Sequence, residues 1–328
     1  MASFTSGTVE YALFREAPGD HLDSDLTFRA FGLPIGIRTN YAPAVSHLLD
    51  RLPPGSKATS ARPERLYRLH VTGHDHEPDH GFANDENEIA KILDKNAGQV
   101  MLARTTDLAE ALEIFESDLQ LQVAEMCSDK VFVHAGVVGW KGKAIVVPGT
   151  SSAGKTTLIA SLVRGGATYY SDEYALFDDE GRVHPYARPL RIRTVDGNSR
   201  IMCQPEMLGG SRGVEPLPLG FIVVTQYRSG AEWQPYRLSP GKALLALLRN
   251  TVSIRRRPHS CLSTLCNVVT SAVAVQSVRG EADEIAPLLL REMQEDPREV
   301  FVREETVQFD TTLGGNYVTG CAQGRNSR

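Results

Sequence analysis

The sequence predicts an α/β protein of the α+β, mixed-sheet kind, built around a phosphate-binding loop. Two observations carry this prediction. An apolar strand over residues 144–147 leads straight into a glycine-rich loop, and a helix over residues 157–163 follows that loop. Short runs of β-prone residues alternate with turns and with helical patterns on both sides of this unit, as they do in chains that mix strands and helices.

Residues 1–95 are predicted to form a small N-terminal α+β module of unknown role. Its strand-like runs, separated by turns rich in proline and glycine, are Tyr11 to Phe14, Phe28 to Arg38 and Leu66 to Val71. The module also holds His74, His76 and His80, whose spacing matches no strong zinc pattern. A solvated loop is therefore predicted for that polar segment.

Residues 96–328 are predicted to form a second, catalytic domain. It opens with a helix capped by Thr106, in which apolar side chains recur at spacings of three and four. A strand over 131–138 and a hairpin turn over 139–143 lead to the strand before the loop. The later predicted elements are strands over 219–225 and 300–302 and helices over 240–249 and 284–293.

The composition excludes several classes of protein. Of 328 residues, 41% are hydrophobic and 23% are charged, as in an ordinary globular chain. The net charge of −5 argues against non-specific binding to nucleic acid, and no apolar run approaches the roughly 18 residues that a membrane span needs. The five cysteines are scattered and form no CxxC pair, and the N-terminus lacks a secretory pattern. We therefore expect a cytoplasmic protein without a nucleic-acid or membrane partner.

The glycine-rich loop matches the phosphate-binding pattern G-x-x-x-x-G-K-[ST] at every fixed position. Its residues are Gly149, Thr150, Ser151, Ser152, Ala153, Gly154, Lys155 and Thr156, with Thr157 directly after them. The glycines let consecutive backbone N–H groups face phosphate oxygens, and the helix adds its positive N-terminal end. Lys155 supplies a charge to the β- and γ-phosphates, and the Thr156 hydroxyl binds Mg²⁺. The motif predicts ATP and Mg²⁺ as cofactors.

An acidic pair follows the loop at a suitable distance. Asp172 and Glu173 end a β-prone run, 16 and 17 residues beyond Thr156, which is the length of one helix and one returning strand. A carboxylate at such a strand end can hold the metal ion or activate the nucleophile. The DDEG run at 178–181 is interpreted as a solvated turn, so the functional role is assigned to Asp172, with Glu173 as a further metal candidate.

The stretch from Val131 to Arg193 resembles the catalytic domain of the HPr kinase/phosphorylase-like serine kinases. The matching residues are His134 in VFVHAGVV, the GTSSAGKTT loop and the YYSDEYALFDDEGRVHPYARPLRIR segment, in the family's order. The resemblance implies a P-loop core of the phosphoenolpyruvate carboxykinase type rather than a doubly wound one. Relatives with an SDEY and GRVHPY pattern include kinases of peptide-biosynthesis clusters, which implies a protein or peptide acceptor bearing a serine.

The resemblance also implies roles for individual residues. Asp172 corresponds to the family's general base toward the acceptor hydroxyl, Lys155 holds the transferred phosphate, and His134 tunes the carboxylate or contacts phosphate. Glu173 replaces the family's second aspartate, and a later metal-binding glutamate has no counterpart, Glu206 being the nearest acid in position. Family members often form hexamers, so a homo-oligomer is a further implied partner.

Two groups of basic residues are weaker candidates. Arg188, Arg191 and Arg193 follow the acidic pair, and arginines near a P-loop can contact phosphate. The run from Ser253 to Arg257 could attract an acidic peptide, although such a run more often forms a solvated face.

Three functions compete on these residues. The first is an ATP-dependent serine kinase acting on a protein or peptide, the second a small-molecule kinase of the same fold, and the third a nucleotide-binding regulatory module with little or no transfer activity. An ABC-type ATPase is disfavoured because no LSGGQ-like signature follows the loop. A carboxykinase is disfavoured by the short chain.

Overall fold

The computed structural model describes residues 11–16, 26–72, 99–149, 154–193 and 200–293. These residues form a mixed α/β architecture with six α-helices and three sheets of six, eight and two strands. The predicted mixed class is therefore confirmed. The predicted strand over 300–302, the histidines at 74, 76 and 80 and the predicted boundary between residues 95 and 96 lie outside the described residues.

The first sheet has six strands in the order β4-β2-β3-β5-β1-β6. They are β1 (Tyr11–Glu16), β2 (Leu26–Ala30), β3 (Leu33–Thr39), β4 (Lys57–Ala58), β5 (Arg65–Val71) and β6 (Gln99–Thr105). The run predicted as one strand over 28–38 is two strands. Phe31 and Gly32 both take positive φ, and they form the turn that reverses the chain from β2 to β3. The last strand, β6, pairs antiparallel with β1, although it follows the segment that holds the predicted boundary.

Two helices accompany this sheet, α1 (Ala44–Leu49) and α2 (Leu108–Met126). The apolar stripe predicted for α2 is buried and belongs to the core beneath the sheet. The predicted cap at Thr106 is wrong by one residue. Asp107 caps the helix, and its carboxylate accepts a hydrogen bond from the Ala109 N–H at 2.8 Å.

The larger sheet has the order β11-β10-β7-β8-β14-β16-β15, with β9 paired to β7. Its strands are β7 (Val131–Trp140), β8 (Lys143–Pro148), β9 (Thr168–Ser171), β10 (Tyr174–Phe177), β11 (Arg182–His184), β14 (Leu217–Tyr227), β15 (Tyr236–Arg237) and β16 (Val273–Arg279). β12 (Leu190–Arg193) and β13 (Arg200–Cys203) form a separate hairpin. The turn predicted over 139–143 is shorter in the structure, where Lys141 and Gly142 join β7 to β8.

Helices cover both faces of the larger sheet. They are α3 (Lys155–Arg164), α4 (Pro240–Leu248), α5 (Pro258–Ser271) and α6 (Ala282–Glu292). Side chains of α3 and α6 share one hydrophobic cluster with alternate residues of β8 and β14. Side chains of α4 and α5 share another cluster with the intervening residues. The alternation explains why these strands are apolar throughout, since each is buried on both sides.

The direction of the central strands positions the candidate site. β8, β14 and β16 are mutually parallel, so their carboxyl ends meet at one edge of the sheet. The glycine-rich loop leaves that edge after Pro148, and β16 ends there at Arg279. Crevices at such edges are where open α/β sheets bind ligands.

The two large sheets share part of their cores. Phe132, Tyr174 and Tyr186, from strands and loops of the second predicted domain, belong to the same buried cluster as the interior of the first sheet. The Phe31 ring contacts the Phe132 ring edge-on, with 5.3 Å between centroids. The turn predicted at 178–181 is present, with Asp179 and Glu180 exposed, but Asp178 is buried and accepts hydrogen bonds from the Arg182 backbone and side chain.

Within the described ranges, none of the helices combines the length and the apolar character that crossing a membrane requires.

Candidate functional site

The ends of the glycine-rich loop are fixed by the structure. The Gly149 N–H donates to the His134 carbonyl at 3.1 Å, which ties the exit of β8 to β7. Gly154 begins α3 with φ of 75°, in the left-handed region, so a side chain at this position would be strained. Thr150, Ser151, Ser152 and Ala153 lie outside the described residues.

Lys155 is the first residue of α3 and is buried. Burial lowers the pKa of its ammonium group, whereas Asp172 and Glu173 oppose this change. The charge of Lys155 is therefore held between the N-terminus of a helix and two carboxylates, where a phosphate group would be attracted. Thr157, the next-but-one residue, is exposed on the same turn.

Asp172 lies directly against the helix that follows the loop. The Thr156 hydroxyl donates to Asp172 Oδ2 at 3.1 Å, and the Tyr169 hydroxyl lies 2.9 Å from Asp172 Oδ1. Burial raises the pKa of the Asp172 carboxyl, although the hydrogen bonds from Tyr169 and Thr156 partly offset the effect. A carboxylate with a raised pKa is a better proton acceptor than an exposed aspartate.

Glu173 points to different neighbours from Asp172. The Ser171 hydroxyl accepts from the backbone N–H groups of Glu173 and Tyr174, which bends the chain at this point. Burial, followed by the charge of Asp172, raises the pKa of Glu173 to about 7. Its side chain is nevertheless 41% exposed and lies 3.8 Å from Arg188. The raised pKa and the exposed fraction together describe a carboxylate that is crowded by protein atoms but still reachable by solvent.

His134 lies on β7 beside the acidic pair. Its ring is 4.8 Å from the ring of Tyr174 on the neighbouring strand, and it bonds to the backbone of Glu173. Burial lowers the pKa of the imidazole, and the nearby charge of Lys155 lowers it further. The structure thus brings His134, Lys155 and the acidic pair together, with the histidine favoured in its neutral form.

Thr156 and Asp172 form a donor set that suits magnesium. Mg²⁺ takes oxygen ligands and usually keeps waters and substrate phosphates, so one or two protein ligands are enough. Among the described residues, no group of three or more histidines, cysteines, aspartates or glutamates converges on one point. A hydroxyl beside a carboxylate fits an ion that arrives with the nucleotide rather than one held by protein alone.

Arg279 is a site residue that sequence reasoning missed. It ends β16, is 1% exposed, and its Nη2 donates to the Gly154 carbonyl at 2.8 Å. The guanidinium also lies over the Tyr227 ring, 5.6 Å from its centroid. Its only sequence signal is an arginine at the end of an apolar strand, 125 residues from its partner.

The other basic candidates have distinct surroundings. Arg188 and Arg191 form ion pairs with Glu116 on α2, and Arg188 also approaches Glu173. Arg193 lies opposite Arg200 in the backbone pairing of the β12–β13 hairpin. In the run from 253 to 257, Arg257 donates to the carbonyls of Cys127 and Ser128, which indicates a structural role.

Glu206, the later acid nearest in position to the family's metal ligand, is exposed and pairs with Arg212 at 2.9 Å. Neither a comparison with protein-family models nor a comparison with curated proteins finds a match to this chain.

Proposed function

We propose that this chain is an ATP- and Mg²⁺-dependent kinase of the HPr-kinase-like type, which transfers the γ-phosphate to a serine, or another hydroxyl, of a protein or peptide. One observation carries the proposal. Asp172, a carboxylate with a raised pKa, contacts the hydroxyl of Thr156 in the helix that follows a phosphate-binding loop. Phosphoryl transfer to a hydroxyl uses ligands for the metal ion and a group that accepts the proton, and these two side chains can supply both.

In this proposal, the position of each site residue determines its role. Lys155 and the N-terminus of α3 hold the phosphates, and Thr156 and Asp172 Oδ2 are the protein ligands for Mg²⁺, which would neutralise charge that develops on the phosphates. Asp172 also accepts the proton of the acceptor hydroxyl, since its raised pKa favours that transfer. His134, neutral and bonded to the backbone of Glu173, keeps the bend at 172–173 in place.

The test compares two aspartates that differ in position. The chain is incubated with labelled ATP, Mg²⁺ and any small peptide encoded beside its gene, and transfer of label is measured. We expect Asp172→Asn to lower the transfer rate by about 10²-fold or more while ATP affinity changes far less. Asp179→Asn is the matched control, because Asp179 is exposed in the turn after β10.

Each outcome decides between functions. Transfer that is equal in Asp172→Asn and in the unmodified chain would remove the base from the mechanism. Nucleotide binding without transfer to peptides or to hydroxylated metabolites favours a regulatory module, and transfer to a metabolite alone favours a small-molecule kinase.

The cysteines at 127, 203, 261 and 266 are free thiols, which fits our expectation that the protein acts in the reducing cytoplasm.

A further inference from the structure

Three arginines surround one buried glutamate beside the candidate site. Glu116 lies on the inner face of α2, with 6% of its side chain exposed. Arg188 pairs with its Oε1 atom, and Arg191 Nη2 lies 2.6 Å from its Oε2 atom. Arg51, which follows α1, places its Nε atom 3.8 Å from the same Oε2. We call Arg51, Arg188 and Arg191 the arginine cluster.

The three guanidinium groups of the arginine cluster share a single carboxylate, that of Glu116, within 4 Å. Glu116 contacts all three guanidinium groups, whereas Glu173 lies 3.8 Å from Arg188, and the charges of Asp50 and Glu113 act on Arg51. Burial, followed by the charges of Arg191 and Arg51, lowers the pKa of Arg188 to about 10. Elsewhere on the same helix, Asp118 pairs with one arginine, Arg15, and accepts a hydrogen bond from the Tyr67 hydroxyl.

Part of the cluster has hydrogen-bonding capacity left. Arg51 Nε is buried, and no hydrogen-bond partner for it occurs among the described residues. Arg51 is 25% exposed and Arg191 is 32% exposed, whereas Arg188 is 12% exposed. The cluster therefore opens toward solvent on the side of Arg51 and Arg191. Like charges gathered in a partly buried place are costly unless an anion joins them.

A short chain of contacts connects the cluster to the catalytic carboxylate. The Arg188 carbonyl oxygen lies 2.8 Å from the Tyr169 hydroxyl, which itself lies 2.9 Å from Asp172 Oδ1. The Arg188 guanidinium meanwhile reaches Glu173, the neighbour of Asp172. The cluster is therefore linked to Asp172 by two routes, through the Tyr169 hydroxyl and through Glu173.

We propose that Arg51, Arg188 and Arg191 form an oxyanion subsite, which binds a carboxylate or phosphate group of the acceptor next to the hydroxyl that receives the phosphate. The term acceptor rests on the proposed kinase function, whereas the binding of an oxyanion does not. Guanidinium groups suit this task because their planar, forked N–H groups match the two oxygens of a carboxylate or phosphate. The acceptor class is accordingly a hydroxyl compound, or a serine peptide, with a negative group close to the hydroxyl.

The experiment uses inorganic phosphate and succinate as separate probes. The full chain is first saturated with Mg²⁺ and a non-hydrolysable ATP analogue, which fills the P-loop, and each probe is then titrated by calorimetry. We expect Arg191→Met to weaken binding about tenfold, the loss of one charge-assisted contact. We expect Glu116→Gln to tighten binding, because it removes the competing carboxylate. Arg164→Met is the matched control, since Arg164 is exposed at the far end of α3 and pairs only loosely with Asp283 at 3.5 Å.

Arg191→Met and Glu116→Gln are expected to change the binding of the probes in opposite directions. This difference separates an anion site from a merely structural cluster. The proposal is overturned if neither probe binds saturably, if Arg191→Met binds like Arg164→Met, or if a folded Glu116→Gln chain binds more weakly than the unmodified one. If Glu116→Gln does not fold, as circular dichroism would show, the comparison of the two arginine variants decides. Stronger binding of phosphate than of succinate identifies a phosphorylated acceptor, and the reverse identifies a carboxylate.

Failure of the kinase proposal is recognised separately. The ATP analogue is titrated alone before any probe is added, so absence of nucleotide binding shows directly. In that case the phosphate titration is repeated on nucleotide-free Lys155→Ala chain, in which the P-loop contributes little. Binding that still depends on Arg191 then supports the subsite without the kinase function, and binding that does not depend on it overturns the subsite.

Discussion

At the scale of single residues, Gly154 is constrained from two directions. Its φ of 75° is in the left-handed region, and a Cβ atom at this position would lie 2.7 Å from Arg279 Nη2. Arg279 in turn donates to the carbonyl of the same residue. The arginine therefore acts as a brace that fixes the start of α3, where the phosphates would lie.

We expect Gly154→Ala to weaken ATP binding and to lower the free energy of unfolding by about 1–2 kcal/mol, the cost of the left-handed conformation for a residue with a Cβ atom. Gly241→Ala is the matched control, because Gly241 lies in α4 with open space around its Cα and no positive φ. That change should stabilise the chain slightly, by about 0.4–1 kcal/mol. Equal effects of the two substitutions on ATP affinity and on urea midpoints would argue against the brace.

At the scale of elements, the β10–β11 hairpin shows what burial does to a turn. Asp178 was predicted to be solvated, but it is buried and lies 2.7 Å from His184 Nε2, with Arg182 on its other side. Burial by itself would raise the pKa of Asp178, yet the bonds from His184 and Arg182 outweigh it and lower the pKa. The hairpin is thus held by a charged, hydrogen-bonded carboxylate.

We expect Asp178→Asn to destabilise the chain by about 1–3 kcal/mol at pH 7, because charged hydrogen bonds are weakened. A carboxyl group whose folded pKa is lowered stabilises the fold above its unfolded pKa, and loses that contribution as the pH falls through the folded value. The difference in urea midpoint between the two chains should therefore shrink below about pH 4. Asp179→Asn, an exposed neighbour, should show no such difference at any pH. A gap between the chains that stays constant down to pH 3 would contradict the role of the charge.

Local patterns predicted the elements that local physics determines. The strand and helix around the glycine-rich loop and the turn between β7 and β8 follow from apolar runs and glycine positions within a few residues of one another. The brace from Arg279 and the pairing of Glu116 with Arg188 join residues far apart in the chain. Their partners are set by which strands and helices become neighbours, and one-dimensional periodicity does not contain that information.

At the scale of the whole molecule, the two predicted domains are joined by packing. Arg15 on β1 pairs with Asp118 on α2, and Phe31 packs against Phe132 and Tyr186. Much of the buried interior of the first sheet therefore belongs to one cluster with residues that flank the candidate site. Neither part can lose its core without exposing apolar surface of the other, so we expect the two parts to unfold together.

This expectation can be tested because both tryptophans, Trp140 and Trp233, lie in the second part of the chain and pack against its own cluster. Their fluorescence therefore reports on that part alone. Leu69→Ala removes a fully buried side chain from β5 in the first sheet, at a cost of about 2–5 kcal/mol. We expect it to lower the urea midpoint measured by tryptophan fluorescence as much as the midpoint measured by circular dichroism. Leu49→Ala changes an exposed residue of α1. It should change the free energy of unfolding measured by either method by less than about 0.5 kcal/mol. A fluorescence midpoint that is unchanged in Leu69→Ala, beside a lowered dichroism midpoint, would show instead that the parts unfold independently.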